Sequence, residues 1–378
     1  MTTADIIIIG GGIAGMSAAY FLAQKGKKVI VLEREDQPGY HSTGRSAALY
    51  SETYGPKIIR KMSTASKAFF LSPPDGFTSH PILTPRGVIV TAMPGEEADL
   101  DELLTEGRAN GANVIALSPE QIAELVPIVK PELLIGGALE IDAMDIDVHA
   151  LHWGFIAQFK KMGGSIVTRA DVTGIEKNGN QWQVTIGNGD VFNGSIVVNA
   201  AGAWADEIAK QAQVKPLGLT PKRRTAVMVD LPAETKADHW HMVSSIGEGL
   251  YFKPDAGRLL VSPADATPTT PQDAQPEELD IAITIDRLVT ATTLTVNRPG
   301  ESWAGLRSFF ADGDPVSGFA PEHAGFYWLA GQGGYGIQTA PAMGEYAASM
   351  ICGEDVPDAM QKLGVTQAAL SPTRPSLS

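Results

Sequence analysis

The sequence predicts a mixed α/β fold in two parts. One part is built around a parallel sheet and made of separated stretches of chain; the other is an antiparallel sheet inserted between them. Three observations carry that expectation. The chain opens on an apolar run followed at once by glycines, ADIIIIGGGIAGMSAAY over residues 4–20. It returns to the same arrangement near its far end, in FYWLAGQGGYGIQTAPAMG over residues 326–344. Between them the texture changes to short alternating segments such as KRRTAVMVD, residues 222–230.

Composition suits such a molecule. At 378 residues, with 44% hydrophobic and 19% charged residues, the chain is long for one ordinary domain and fits two interwoven ones. A formal charge of −14 repels polyanions, and no Lys/Arg stripe offsets it, so nucleic acid is not an expected partner. A single cysteine, Cys352, excludes an internal disulfide and a cysteine-ligated metal cluster. No basic segment precedes the first strand, and no apolar run reaches the roughly 18–20 residues that span a bilayer. These features read as a cytoplasmic protein without a transmembrane segment, with peripheral contact at the inner face of a membrane left open.

Taken in order, Asp5 to Ile9 form a β-branched run of the kind found in a strand buried on both faces of a parallel sheet. Gly10, Gly12 and Gly15 follow in G-x-G-x-x-G register, for a tight turn, close approach of a pyrophosphate, and close helix–strand packing. Ile13 and Ala14 then lead into a helix over 14–24 whose first amides point at that phosphate. Gly26 ends it, KKVIVLE supplies the second strand, and Glu33, with Arg34 beside it, stands where a carboxylate accepts hydrogen bonds from a ribose diol. An acid there favours an unphosphorylated ribose, and so NAD or FAD over NADP. The pattern is that of a Rossmann-like unit.

Residues 34–55 are too rich in Gly, Ser and Thr to be the next helix of a plain NAD fold. In HSTGRSAA, the hydroxyls of Ser42, Thr43 and Ser46, with Arg45 and the small Ala47 and Ala48, suit a second phosphate and the edge of a flavin ring; a polar surface loop is the alternative. Residues 163–189, which include Val172, carry strands and Asn-Gly turns like the meander of two-dinucleotide flavoproteins. SIVVNAAGAWADEIA, residues 195–209, is another buried strand ending in Ala201, Gly202 and Trp204, where a cofactor backbone would pass. The last glycine segment, Gly331, Gly333, Gly334, Tyr335 and Gly336, would return the chain to the same sheet. A helix starting near Ile337 and Gln338 would then aim its positive end at the flavin pyrimidine, unless the segment is only a helix-start loop.

Together GGGIAG with Glu33, HSTGRSAA, VVNAAGAWA, WAGLRSF and AGQGGYGIQ resemble the D-amino-acid oxidase and glycine oxidase family of FAD enzymes, and within it the D-amino-acid dehydrogenases of the D-arginine type. The resemblance runs over nearly the whole chain. It implies FAD, expected here to be bound non-covalently, lying extended in a discontinuous domain under an antiparallel roof. The division expected is 1–80, 142–216 and 324–378 for FAD, and 81–141 and 217–323 for substrate.

In the roof, period two puts Arg223, Thr225, Val227 and Val229 on one face of a strand and Arg224, Ala226 and Met228 on the other. Likewise Tyr251 and Lys253 separate from Phe252, and Gly305, Arg307 and Phe309 fall together. A guanidinium fork binds a carboxylate at two points, which lysine cannot do. The resemblance implies that Arg223 and Arg307 hold an amino acid's carboxylate, that Tyr54 and Tyr251 orient it, and that Gln338 lines the site. It also makes SETYGPK, residues 51–57, a gate that carries Tyr54 over bound substrate. Arginine-preferring relatives carry a glutamate and, on a helix after SAA, a histidine where this chain has Val88 and Leu49. Neutral or apolar D-amino acids are therefore expected over D-arginine, with Glu52 able to restore some cation binding.

The reaction expected is hydride transfer from Cα to flavin N5. It gives an imino acid that hydrolyses to a 2-keto acid and ammonia, with electrons passing to a quinone or another carrier. Alternatives are an oxygen-using oxidase of glycine, sarcosine or D-amino acids, a 2-hydroxy-acid dehydrogenase, and a non-catalytic flavin-binding electron carrier. No metal is expected: His149 and His152 sit on a predicted helix and His239 and His241 on a predicted strand, neither pair with a third ligand. Cys352 is placed in the last helix, residues 267–280 form an exposed connection, and residues 367–378 a frayed tail.

Overall fold

The computed structural model of the protein describes residues 2–377. Its first sheet is centred on the strand Thr2–Ile9, which runs parallel to Val29–Leu32 on one side and Val191–Asn199 on the other. Ser165–Val167 and Phe326–Ala330 extend it in parallel at either side. The run of isoleucines is explained by two-sided burial: Ile6 and Ile8 pack into one apolar core, Ile7 and Ile9 into another. The first core takes the helices Ile13–Gln24 and Gly336–Ile351, and the second the meander Val172–Asn178 and Gln181–Ile186. The two ends of the chain thus meet on one face, as the repeated strand–glycine–helix pattern required.

A second sheet of eight strands runs in the order Ser302–Phe309, Thr220–Val229, Arg258–Ser262, Tyr251–Asp255, Met242–Ser245, Val88–Ala92, Gly136–Glu140, Val114–Leu117. All neighbours are antiparallel except Met242–Ser245 with Val88–Ala92, so the roof is mixed at one point. Its outer face packs Val227, Val229, Phe252 and Val261 toward the helix Glu278–Ala291. Its inner face presents Ala226, Met228 and Tyr251 toward the first sheet. A small third sheet joins Leu49–Tyr50, Met144–Ile146 and Leu83–Pro85. Leu49 therefore lies on a strand, and the helix implied after SAA is absent there.

Other expectations are corrected. Val316–Phe319, placed by sequence in the roof, pairs with Phe326–Ala330 in the first sheet. Residues 267–280 do not form a merely exposed connection, because Ala274 and Asp280 are buried. The tail is anchored. Its Arg374, 7% exposed, donates from Nε and Nη2 to Asp312 at 2.6 and 2.9 Å, and this pulls the Asp312 carboxyl down to about 2. Cys352 only caps the helix Gly336–Ile351, with two short helices beyond it, and His239 and His241 lie ahead of the strand Met242–Ser245. Among the described residues no helix is long and apolar enough to cross a membrane, and no group of three His, Cys, Asp or Glu side chains is placed to hold a metal.

Candidate active site

Three cavities lie end to end between the sheets. The first, about 180 Å³, is lined by Gly10, Gly12, Glu33, Arg34, Val172, Ala201, Gly202 and Trp204. Glu33 closes it, accepting from the Gly11 amide at 2.8 Å and the Glu35 amide at 2.9 Å. The Arg34 guanidinium stacks 4.2 Å from the centre of the Trp204 ring. Gly15 does not line the cavity but makes it possible, since a Cβ there would lie 1.9 Å from the Gly10 carbonyl oxygen. A residue that sequence reading set aside supports this loop: His152, on the helix Val148–Lys161, donates from Nε2 to the Gly11 carbonyl at 2.9 Å. Burial, aided by neighbouring His149 and opposed by the Gly11 contact, holds its pKa below the ordinary value. The ring is therefore a neutral donor at neutral pH.

The second cavity, about 150 Å³, shares Gly12, Ser42, Thr43 and Gly202 with the first. It is bounded by Ile13, Ala14, Ser46, Ala47 and the glycines Gly331, Gly333, Gly334 and Gly336. Thr43 Oγ1 accepts from the Ile13 amide at 3.0 Å, and Ser42 Oγ donates to the Leu306 carbonyl at 2.6 Å. Arg45 also lines this cavity, with its guanidinium held by the roof. Its Nη1 donates to the carbonyls of Ala274 and Ala304, and Nη2 pairs with Asp273, so the guanidinium ties the loop to the roof. Gly334 has no side chain because Arg307 occupies the space: an added Cβ would lie 2.7 Å from Arg307 Nη1.

The third cavity, about 500 Å³, is lined by Tyr54, Arg224, Tyr251, Arg307, Tyr335 and Gln338, with Ala48, Leu49, Val88, Val90 and Met242 as an apolar wall. Arg307 Nη1 donates to the Tyr54 hydroxyl at 3.1 Å. Burial opposes the Arg307 charge, but the phenols of Tyr54, Tyr251 and Tyr335 outweigh it and raise the guanidinium's pKa. Burial also raises the pKa of Tyr335, whose ring meets Tyr54 edge-on at 4.9 Å. The Tyr335 phenol therefore stays protonated at neutral pH.

Among the described residues three arginines line this cavity: Arg60, tied to Glu106 and the Gly55 carbonyl, Arg307, and Arg224; Arg223 is excluded from it. Arg223 points to the outer face, donating to Asp280 from Nη2 at 2.8 Å and Nε at 3.1 Å and pairing with Glu277. Arg224, one residue on, faces inward. Its Nε donates to the Asp265 carbonyl at 2.7 Å, and among the described residues no carboxylate pairs with it. The sequence pattern does not choose between them, because both faces carry apolar neighbours, Val227 and Val229 beside Arg223 and Ala226 and Met228 beside Arg224. Glu52 is likewise misplaced by the sequence reading. Its carboxylate accepts from Lys67 Nζ at 2.5 Å and Thr64 Oγ1 at 3.0 Å, on the helix Lys57–Leu71, and does not line the cavity. The acid on the cavity wall is the exposed Glu248.

The walls fit a flavin. Gln338, 2% exposed, accepts from the Ser51 amide at 3.1 Å through Oε1, while its Nε2 is a buried donor without a partner. Gln332 Nε2, on the wall of the middle cavity and missed by sequence reading, is a second such donor. Unpartnered buried donors are uncommon in folded proteins, and two of them, Gln332 on the glycine-walled middle cavity and Gln338 on the chamber adjoining it, suit a ring system bearing carbonyl acceptors.

A channel that begins at Glu33 under the glycine turn and ends in a cation-bearing chamber suits a flavin-dependent oxidoreductase. The sequence model of the FAD-dependent oxidoreductase (DAO) family matches residues 5–350, and the chain belongs to that family, with FAD as its cofactor. It is 27% identical over 373 residues to glycerol 3-phosphate oxidase of Mycoplasma pneumoniae, covering 93% of this chain and 95% of that protein. It is 26% identical over 364 residues to glycine oxidase of Bacillus licheniformis, covering 93% and 94%. In fold it is similar to L-α-glycerophosphate oxidase from Mycoplasma pneumoniae with FAD bound, at a TM-score of 0.84 and 22% identity over 93% of this chain and 95% of that one. It is also similar to L-proline dehydrogenase from P. horikoshii, at 0.81 and 22% over 99% and 98%.

Proposed function

We propose that the protein oxidises the Cα–N bond of a D-amino acid with a neutral or apolar side chain, giving an imino acid that hydrolyses in water to a 2-keto acid and ammonia. The observation that carries this reading is the Arg307–Tyr54 pair beside Arg224 and Tyr251 in a chamber with one apolar wall, formed by Leu49, Val88, Val90 and Met242. Arg307 and Arg224 would grip the carboxylate, a two-point geometry that fixes the orientation of Cα. Tyr54 and Tyr251 would donate to its remaining lone pairs. Leu49, Val88, Val90 and Met242 would take the side chain, and their apolar surface disfavours a guanidinium. Bound FAD supplies the two-electron acceptor to which Cα gives its hydride. Among lining residues the only carboxylates are Glu33 and Asp171 at the ribose end, Glu207 beside them, and Glu248 at the exposed rim, so no side-chain base is placed for Cα, and hydride loss from a neutral amine needs none. A quinone or similar carrier is the proposed electron acceptor.

A second reading is favoured by the 27% identity to glycerol 3-phosphate oxidase and by the pairing of two arginines, which suits a phosphate dianion. A spectrum of the yellow protein under argon separates the two. Bleaching by D-methionine or D-leucine, with little by D-arginine, L-amino acids or glycerol 3-phosphate, is the expected outcome. Bleaching by glycerol 3-phosphate alone overturns the amino-acid reading, and a strong preference for D-arginine overturns the apolar one. Peroxide production against dye reduction decides between oxidase and dehydrogenase.

A further inference from the structure

We propose that Glu140, at the end of the roof strand Gly136–Glu140, is the latch of the gate and thereby a positioning residue for the site. The inference rests on the reading that Tyr54 helps hold an anionic substrate. Glu140 is 4% exposed and, among the described residues, has no lysine or arginine in salt-bridge contact. Its side-chain oxygens accept from three donors, all from consecutive gate residues. Ser51 Oγ donates to Oε2 at 2.6 Å, Thr53 Oγ1 to the same oxygen at 2.6 Å, and the Glu52 amide to Oε1 at 2.7 Å. A buried carboxylate stripped of its donors is strongly disfavoured. Departure of residues 51–53 would strip all three at once, so Glu140 makes the gate's first half behave as one unit.

The same three residues are tied on other sides. The Ser51 amide donates to Gln338 on the helix Gly336–Ile351, and the Glu52 carboxylate is held by Lys67 and Thr64 on the helix Lys57–Leu71. Among the described residues, Glu140 alone hydrogen-bonds residues 51–53 to the roof sheet, and so fixes them relative to the sheet that bears Arg307. The residue immediately after the latched triplet is Tyr54, whose hydroxyl meets Arg307 at 3.1 Å. Glu140 therefore sets the position of the segment on which Tyr54 is carried.

The test uses the FAD-loaded protein and its Glu140→Ala and Glu140→Gln variants, with and without Tyr54→Phe. Glu140→Ala is expected to raise the KM for the best amino acid about tenfold with a smaller change in kcat, and Glu140→Gln, which keeps one acceptor, to restore much of it. In the Tyr54→Phe background the same change is expected to have an effect of only about twofold, because the latch acts through that hydroxyl. Equal effects in both backgrounds, or an unchanged KM, overturn the proposal. Hydrogen exchange of residues 51–54 gives a readout that does not depend on substrate: the Glu52 amide is expected to exchange faster in both Glu140 variants at unchanged FAD content. Unchanged exchange also overturns the latch. Should Glu140→Ala fail to fold, Thr53→Val removes one donor without removing the buried acid, and faster exchange at Glu52 remains the expected result. If no amino acid bleaches the flavin yet exchange accelerates, the substrate reading fails and the latch stands.

Discussion

The end of the channel proposed to hold the ribose and the end proposed to hold the substrate are built by opposite means. At the ribose end, the Gly10–Gly15 turn, the helix behind it and Glu33 come from one short stretch of chain, and function depends on how closely backbone approaches backbone. At the substrate end, Tyr54, Arg224, Tyr251, Arg307 and Gln338 come from five separate segments, and function depends on which face of a strand each side chain takes. The first kind of site tolerates no added atoms but is fixed by local sequence. The second tolerates changes of backbone neighbour but depends on long-range register.

If that contrast is right, the largest effect belongs to the turn. Gly15→Val would force a side chain into the 1.9 Å gap above Gly10, and a destabilisation of about 3 kcal/mol or more is expected, with FAD absent from the purified protein. The flavin absorbance per mole of protein checks it, and a fully yellow variant breaks the comparison. Next comes the substrate end, where Arg307→Lys keeps the charge but loses the fork. Turnover per KM should fall by roughly 10²–10³ while FAD content stays near wild type. Loss of FAD instead would show that the two ends are not separable.

The third effect is a pH dependence confined to the ribose end. His152 is held below its ordinary pKa by burial first. A depressed group contributes stability above its unfolded value, about 6.5, and loses it as pH falls toward the folded value. FAD release, followed by flavin fluorescence, should therefore increase below about pH 6.5, and His152→Asn should flatten that dependence. A variant profile superimposable on wild type removes His152 from the cradle's support. The smallest effect lies outside both regions. The Asp312 carboxyl is lowered to about 2 by Arg374, so its contribution is full above pH ~4 and lost as pH falls toward 2. Asp312→Asn should lower stability at neutral pH by roughly 1–3 kcal/mol in urea unfolding, with flavin content unchanged.

The same contrast explains what could be read from the sequence. The strand, turn and helix at Ile9 to Gln24, Glu33 and the returning segment at Gly331 to Gly336 were legible because each rests on local geometry that only certain residues allow. Arg307 was legible because it sits between apolar neighbours. The choice between Arg223 and Arg224 was not, because period two says only that they oppose one another. What decided it was a set of acids from distant positions, Glu277 and Asp280, that claim Arg223 for the outer face. Glu52 was drawn off by Lys67 for the same kind of reason. His152 and Glu140 make their contacts far along the chain, and Gln332 faces a cavity formed by distant segments, so none leaves a local pattern.

The most direct test compares two neighbouring substitutions. Arg224→Leu and Arg223→Leu, each loaded with FAD and titrated anaerobically with D-methionine, differ only in which face of one strand loses its charge. A rise of ten- to a hundredfold in the concentration needed for flavin bleaching is predicted for Arg224→Leu. Arg223→Leu should stay within about threefold of wild type, its loss appearing in stability instead. A site still intact in Arg224→Leu and disabled in Arg223→Leu would contradict the account.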